Sequence, residues 1–204
     1  MVGTNNRHKL AEIEPVLAGL DLTLKSAGEF GLFEPEETGS TLEENAILKA
    51  RAALELSGAW SIADDTGLEV DALGGRPGLY AARYAGPGCS FADNIRKLLV
   101  ELAQVPDEKR TARFACVIAL CRPGDEPMTF RATCAGRILK APQGAGGFGY
   151  DPVFRVEGLN KSFAELTLKE KNRISHRARA ARLLRAELVN LLLQRESFKR
   201  PLLP

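Results

Sequence analysis

Histidine is almost missing from this sequence: His8 and His176 are the two among 204 residues. Zinc centres built on histidine are therefore excluded, and Cys89, Cys116, Cys121 and Cys134 show no Cys-x-x-Cys spacing that would supply thiolates instead. The cysteines are expected to be reduced, small hydrophobes of a cytoplasmic protein. No apolar stretch approaches the roughly 18 residues of a membrane span. The start, Met1-Val2-Gly3-Thr4-Asn5, lacks the basic-then-apolar pattern of an export signal, so no membrane partner is expected. The glycine-rich phosphate loop G-x-x-x-x-G-K-[ST] does not occur. Nor does any internal repeat, low-complexity tract or linker, and residues 1–204 read as a single domain.

Charge is nearly balanced at +2 but unevenly placed. Residues 29–71 hold eleven acids against Lys49 and Arg51, whereas residues 161–200 hold eleven Lys or Arg against four acids. Such a chain can hold a divalent cation and a polyanion together, or it can present ordinary solvated faces. An RNA-binding surface in the basic segment is a further possibility. It is disfavoured because the segment lacks interleaved aromatics, and no nucleic-acid partner is expected.

With 45% hydrophobic residues the chain can build a sizeable core. Leu10, Ile13 and Leu17 predict a helix over 7–18 that Pro15 should distort. Thr41-Leu42-Glu43-Glu44 fits a capping box and Gly58 a stop, giving a helix over 42–57. Trp60–Ala63 reads as a short buried strand ending at Asp64-Asp65. Residues 74–78 must be a loop, and a helix starts at Ser90-Phe91 with Ile95, Leu98, Leu99 and Leu102 on one face. Strands over 111–121 and 128–139 form a hairpin through Pro123-Gly124-Asp125. Residues 142–152 form a glycine-rich loop, and a helix over 175–194 follows. Strands interleave with helices, but the hairpin spoils a purely parallel sheet, so the class is α/β with a mixed sheet.

Several segments carry chemistry, each with a plain alternative. Thr4-Asn5-Asn6-Arg7-His8-Lys9 enters a helix whose first N–H groups favour an anion, with Lys9 adding charge; a simple Asn cap would look the same. Asp64 and Asp65 repel each other unless a cation or a basic partner offsets them, and hard oxygens suit Mg²⁺; the alternative is an Asx turn. Asn45 and Lys49 lie one turn apart, with Glu37 just before their helix, so Lys49 could reach phosphate while Glu37 faces a metal. Most helical lysines simply face solvent. Gly146-Gly147-Phe148-Gly149-Tyr150-Asp151 combines close backbone approach, an aromatic face and a carboxylate, suited to a flat base. Lys171, His176 and Arg177 straddle a helix start and could bind a base edge, a phosphate or water.

Taken together, these runs resemble the inosine triphosphatase family, pyrophosphatases of aberrant purine nucleoside triphosphates. The matching motifs are Thr4-x-Asn6-x-x-Lys9, Glu36-Glu37-Thr38-Gly39, Glu44-Asn45-Ala46-x-x-Lys49-Ala50, Ala63-Asp64-Asp65-Thr66-Gly67-Leu68, Ala72-Leu73-Gly74-Gly75-x-Pro77-Gly78, Gly147-Phe148-Gly149-Tyr150-Asp151-Pro152 and Ser175-His176-Arg177. They span nearly the whole chain in family order. The resemblance implies a long bent mixed β-sheet flanked by helices, two lobes around a central cleft, and a homodimer. It implies hydrolysis of ITP, dITP and XTP to the monophosphate and pyrophosphate with Mg²⁺ as cofactor; pyrophosphatases of methylated nucleotides are the nearest alternative. Asp65 would be the catalytic proton acceptor and, with Glu37, a metal ligand. Thr4, Asn5, Asn6, Arg7, His8, Lys9 and Lys49 would hold the triphosphate. Thr66, Phe148, Gly149, Tyr150, Asp151, Lys171, His176 and Arg177 would bind the rest of the substrate. Only Met1-Val2-Gly3 precede the Thr-x-Asn turn, so either the first strand is expected to be shorter than in relatives or the chain start is clipped or misplaced.

Overall fold

Three apolar strands with complementary register build the centre of the molecule. In the computed structural model, which describes residues 1–31 and 35–199, β1 (Ser61–Val70) pairs antiparallel with β3 (Thr111–Cys121), from Ser61 opposite Cys121 to Val70 opposite Ala112. The hairpin read from sequence is present, with β3 pairing to β4 (Met128–Ile138). A short β2 (Pro77–Gly78) and β5 (Phe154–Val156) close the two edges, in the order β2-β1-β3-β4-β5. These ladders are all antiparallel. Among the described residues, parallel pairing is confined to bridges from Val2 to Ser26 and to Ile62, so the shortened first strand is reduced to one residue.

One boundary needs correction. The strand expected over 60–63 runs on to Val70, so Asp64 and Asp65 lie inside it rather than at its end. β3 offers a partner to every residue of β1, and nearby ammonium and guanidinium groups neutralise the two carboxylates, so their charge does not end the strand.

Side chains alternate across a strand, and that alternation sorts the helices. On one face Ala63, Ala115, Val117 and Ala119 pack against Leu42, Ala46 and Ala50 of α2 (Leu42–Ser57). The small strand residues let α2 approach closely. On the other face Ile62, Cys116, Ile118 and Leu120 meet Ile13 and Leu17 of α1 (Arg7–Leu17). They also meet Ala181, Leu184 and Leu188 of the last helix, labelled α5 below. Further along that same face Leu68, Val70 and Phe114 join Leu98 and Leu102 of α3 (Phe91–Glu101) with Phe154 and Phe163. The sheet face thus carries two cores, and Asp64 and Thr66 sit between Ile62 of one and Leu68 of the other.

Helix ends follow side-chain caps. Thr41 accepts from Glu44 N at 3.1 Å, and Gly58 closes α2 in the left-handed region at φ 63°. Glu44 itself turns to Ser40, accepting from its N–H at 2.6 Å, so the expected capping box closes one residue early. α1 retains Pro15 inside it. A further short helix, α4 (Leu168–Ile174), opened by a Thr167–Glu170 capping box, precedes α5 (His176–Lys199) and is absent from the sequence reading. The four cysteines are free, and no described helix is long and apolar enough to cross a membrane.

Candidate active site

The segments singled out from sequence converge on one cleft of about 370 Å³. The turn before α1 contributes Thr4, Asn5 and Asn6, and the first turn of α1 Lys9; the α2 region contributes Glu37 and Lys49; β1 contributes Asp65 and Thr66. Phe148, Gly149, Tyr150 and Asp151 come from the glycine-rich loop, and Lys171, His176 and Arg177 from α4 and α5. Arg7 and His8 do not line the cleft. Successive helical residues are rotated by about 100°, so Asn6 and Lys9 share the cleft face while Arg7 and His8 turn away. His8 instead stacks on Phe148, with ring centroids 5.1 Å apart and planes 17° from parallel.

At one end Lys9 and Lys49 bring ammonium groups to the cleft, each paired with carboxylates. The Asn6 side-chain oxygen accepts from His8 N at 2.9 Å and Lys9 N at 3.3 Å. Two of the N–H groups expected to await an anion are therefore already taken, and the Lys9 ammonium supplies the attraction. The pleat sends the paired aspartates to opposite sides of β1. Asp64 is buried, with Lys9 Nζ 3.1 Å from Oδ1 and Arg177 Nε 3.1 Å from Oδ2. Burial alone would raise its carboxyl, but Lys9 and Arg177 outweigh that and hold it far below the usual range. Asp65 meets Lys49 Nζ at 2.6 Å, and Glu37 Oε1 takes the same ammonium at 3.0 Å. Burial pushes the Asp65 carboxyl up, against the pull of Lys49. Arg83, which the sequence reading passed over, donates to the other Glu37 oxygen at 3.0 Å.

Among the described residues no three His, Cys, Asp or Glu side chains gather as a metal cluster. Glu37 and Asp65 nevertheless converge on one cation, the Lys49 ammonium. Two hard carboxylates are what Mg²⁺ commonly takes from a protein, with water and phosphate completing its shell, so this donor set fits.

The other end is aromatic and charge-balanced. Asp151 Oδ2 accepts from Phe148 N at 2.8 Å and from Lys171 Nζ at 2.5 Å. The Cβ of any other residue at Gly147 would come within 2.1 Å of that carboxylate, and φ there is +69°, which is why the turn requires glycine. Glu12 binds Lys171 Nζ at 2.7 Å through one oxygen and Arg177 Nη1 at 2.5 Å through the other. Glu12, Asp64 and Asp151 thus balance Lys9, Lys171 and Arg177 in a buried network. His176 stacks on Phe114 at 4.6 Å, and burial, with Arg177 and Lys171 nearby, pushes its pKa well below the usual value. It is a neutral ring at pH 7, and its buried Nδ1 has no hydrogen-bond partner among the described residues.

Residues 1–187 match the Ham1 family. The chain belongs to that family. It is 51% identical over 189 residues to a dITP/XTP pyrophosphatase of Geobacter sulfurreducens, covering 92% of this chain and 95% of the relative. It is 53% identical over 190 residues to the dITP/XTP pyrophosphatase of Pseudomonas syringae pv. tomato, with the same coverage. Among solved structures it resembles a Ham1 protein from Coxiella burnetii at TM-score 0.85 and 40% identity, covering 93% of this chain and 97% of that one.

In this Ham1-family chain the sequence reading missed Glu12, although Lys9-x-x-Glu12 places it one turn along the same helix face. It also missed the wall formed by Leu79, Ala81, Ala82 and Phe91, which offers no ionisable signal. Five of the eleven basic residues of the 161–200 segment are engaged within the chain. Lys171 and Arg177 are buried in the cleft, while Arg179, Arg182 and Arg185 donate to the carbonyls of Thr133, Asn172 and Ala18.

Proposed function

We propose that this Ham1-family chain is a hydrolase of aberrant purine nucleoside triphosphates, releasing pyrophosphate and leaving the monophosphate of ITP, dITP or XTP. The observation that carries this reading is a single cleft with ammonium groups at one end and an aromatic, charge-balanced pocket at the other. The printed activity of the Geobacter and Pseudomonas relatives supports it.

Lys9 and Lys49 would neutralise the phosphates that leave as pyrophosphate. Asp65, set beside Lys49, would orient the attacking water and accept its proton as the oxygen bonds the α-phosphorus and the bond to the β-phosphate oxygen breaks. Glu37 and Asp65 would hold Mg²⁺, which when bound neutralises phosphate charge. Phe148 would line the base pocket. Lys171 and Arg177 are fixed by Glu12, Asp151 and Asp64 and would present N–H donors to the 6-position. A 6-keto oxygen accepts from them; a 6-amino group leaves them unmatched, a mismatch worth about 10⁴-fold or more. The chain would act as one catalytic domain on the cytoplasmic nucleotide pool, as a homodimer.

Pyrophosphate release measured across ITP, dITP, XTP, GTP and ATP, with Mg²⁺ and with a chelator, tests this. Preferred, metal-dependent cleavage of the first three is expected. Equal cleavage of ATP, or full activity in chelator, would overturn the base reading or the metal reading respectively.

A further inference from the structure

The apolar stripe of α3 extends beyond the core it serves. Leu98 and Leu102 are buried with Leu68 and Phe114, and Ile95 and Leu99 pack against the same cluster. Phe91 continues the stripe one turn earlier, four residues before Ile95, yet it stands outside that core. It is 41% exposed and lines the cleft. The helix does not need it as a starter, because Ser90 and Asp93 already form the capping box.

The ring is held rather than loose. Tyr150 meets it edge-on, with centroids 6.0 Å apart and planes at 81°, and the Tyr150 hydroxyl donates to Ala81 O at 2.9 Å. A Cβ added at Gly149 would come within 3.5 Å of the Phe91 ring, so this glycine brings the base loop up to it. Beside the ring the wall is formed by Leu79, Ala81 and Ala82, with the Ala81 carbonyl accepting from the Tyr150 hydroxyl and the Ala82 carbonyl from Asn94 Nδ2 at 3.0 Å. Phe148, by contrast, already has His8 stacked on it and the Lys171 ammonium 4.8 Å from its centroid. Phe91 is the cleft aromatic that keeps two fifths of its surface open.

We infer that Phe91 is a substrate contact, its ring packing against the nucleoside portion of the purine triphosphate across from the Lys9 and Lys49 ammonium groups. This rests on the functional reading above. The contact is made alike by bound substrate and transition state, so it acts on KM and leaves kcat alone. It touches no phosphate, so pyrophosphate does not sense it.

The test is ITP kinetics with calorimetric binding of inosine monophosphate and of pyrophosphate to wild type, Phe91→Ala and Phe91→Tyr. Removing the ring is expected to raise KM about 5- to 30-fold and to weaken inosine monophosphate by a similar factor. kcat should stay within about twofold, and pyrophosphate affinity should not change. Phe91→Tyr, which keeps the ring face, should restore wild-type values; it also serves should the alanine variant fold poorly. An active wild type with an indistinguishable Phe91→Ala, or equal losses for both ligands, overturns the contact alone. A wild type that neither cleaves ITP nor binds inosine monophosphate overturns the functional reading, and the contact with it.

Discussion

Asp64 and Asp65 are adjacent in sequence, but the pleat gives them different surroundings and different expected phenotypes. Asp64 is locked between Lys9 and Arg177, whereas Asp65 faces Lys49 and the cleft. Asp65→Asn keeps shape while removing the charge needed for proton acceptance, and turnover should fall by about 10²–10⁴ with the fold retained. Near-normal turnover at saturating Mg²⁺ would reject the assignment. Asp64→Asn should instead lower stability, by about 3 kcal/mol in urea unfolding, because it takes one of two carboxylate partners from a buried guanidinium. Lys9→Ala and Lys49→Ala should weaken ITP far more than inosine monophosphate, since the lost contacts lie on the leaving phosphates. Equal weakening in calorimetry would move the lysines away from them. The types of these residues were legible in the sequence. Their division of labour was not, because it depends on which face of β1 each side chain takes.

Glu12 shows what a single residue contributes at the scale of elements. From α1 it binds Lys171 of α4 and Arg177 of α5, and Arg177 binds Asp64 of β1, so one carboxylate ties three helices and, through Arg177, the sheet. Burial by itself would raise the Glu12 carboxyl, but Arg177 and Lys171 hold it below the usual range. A depressed folded-state pKa means stability present above the unfolded value and lost as pH falls through the folded one. Glu12→Gln should therefore cost about 3 kcal/mol at pH 7. The gap to wild type should narrow as pH drops below the ordinary value of 4.5. Urea midpoints at pH 7 and below pH 4.5 check this, and a pH-independent gap would reject the charge argument. The helices themselves were legible from their caps: Asn6, Thr41 and Ser90 each accept from a first-turn N–H. α4 was not, because seven residues are too few for a clear period.

For the whole molecule the expected homodimer has a mass of about 44 kDa, twice the 22.1 kDa of the chain. Light scattering at micromolar concentration checks it, and a monomeric mass would reject it. We propose that the homodimer interface lies at the loop over 74–80, and the fold selects which residue tests it. Leu79 packs against the α2 cluster and lines the cleft, whereas Tyr80 is 58% exposed under the Arg83 guanidinium. Tyr80→Glu should shift the mass towards monomer, and an unchanged dimer would exclude this loop.

Local rules determined the helix starts, the 111–138 hairpin and the chemistry-bearing residue types, since caps, period-two alternation and turn residues act over a few positions. Tertiary structure decided the length of β1, because a strand continues as long as a partner and compensating charges exist, and both came from distant segments. It decided that Arg7 and His8 leave the cleft, through the phase of α1. It also decided that Glu12 and Phe91 belong to the site, because a buried ion pair and an apolar wall are made by neighbours 159 to 165 and 58 to 59 positions away along the chain.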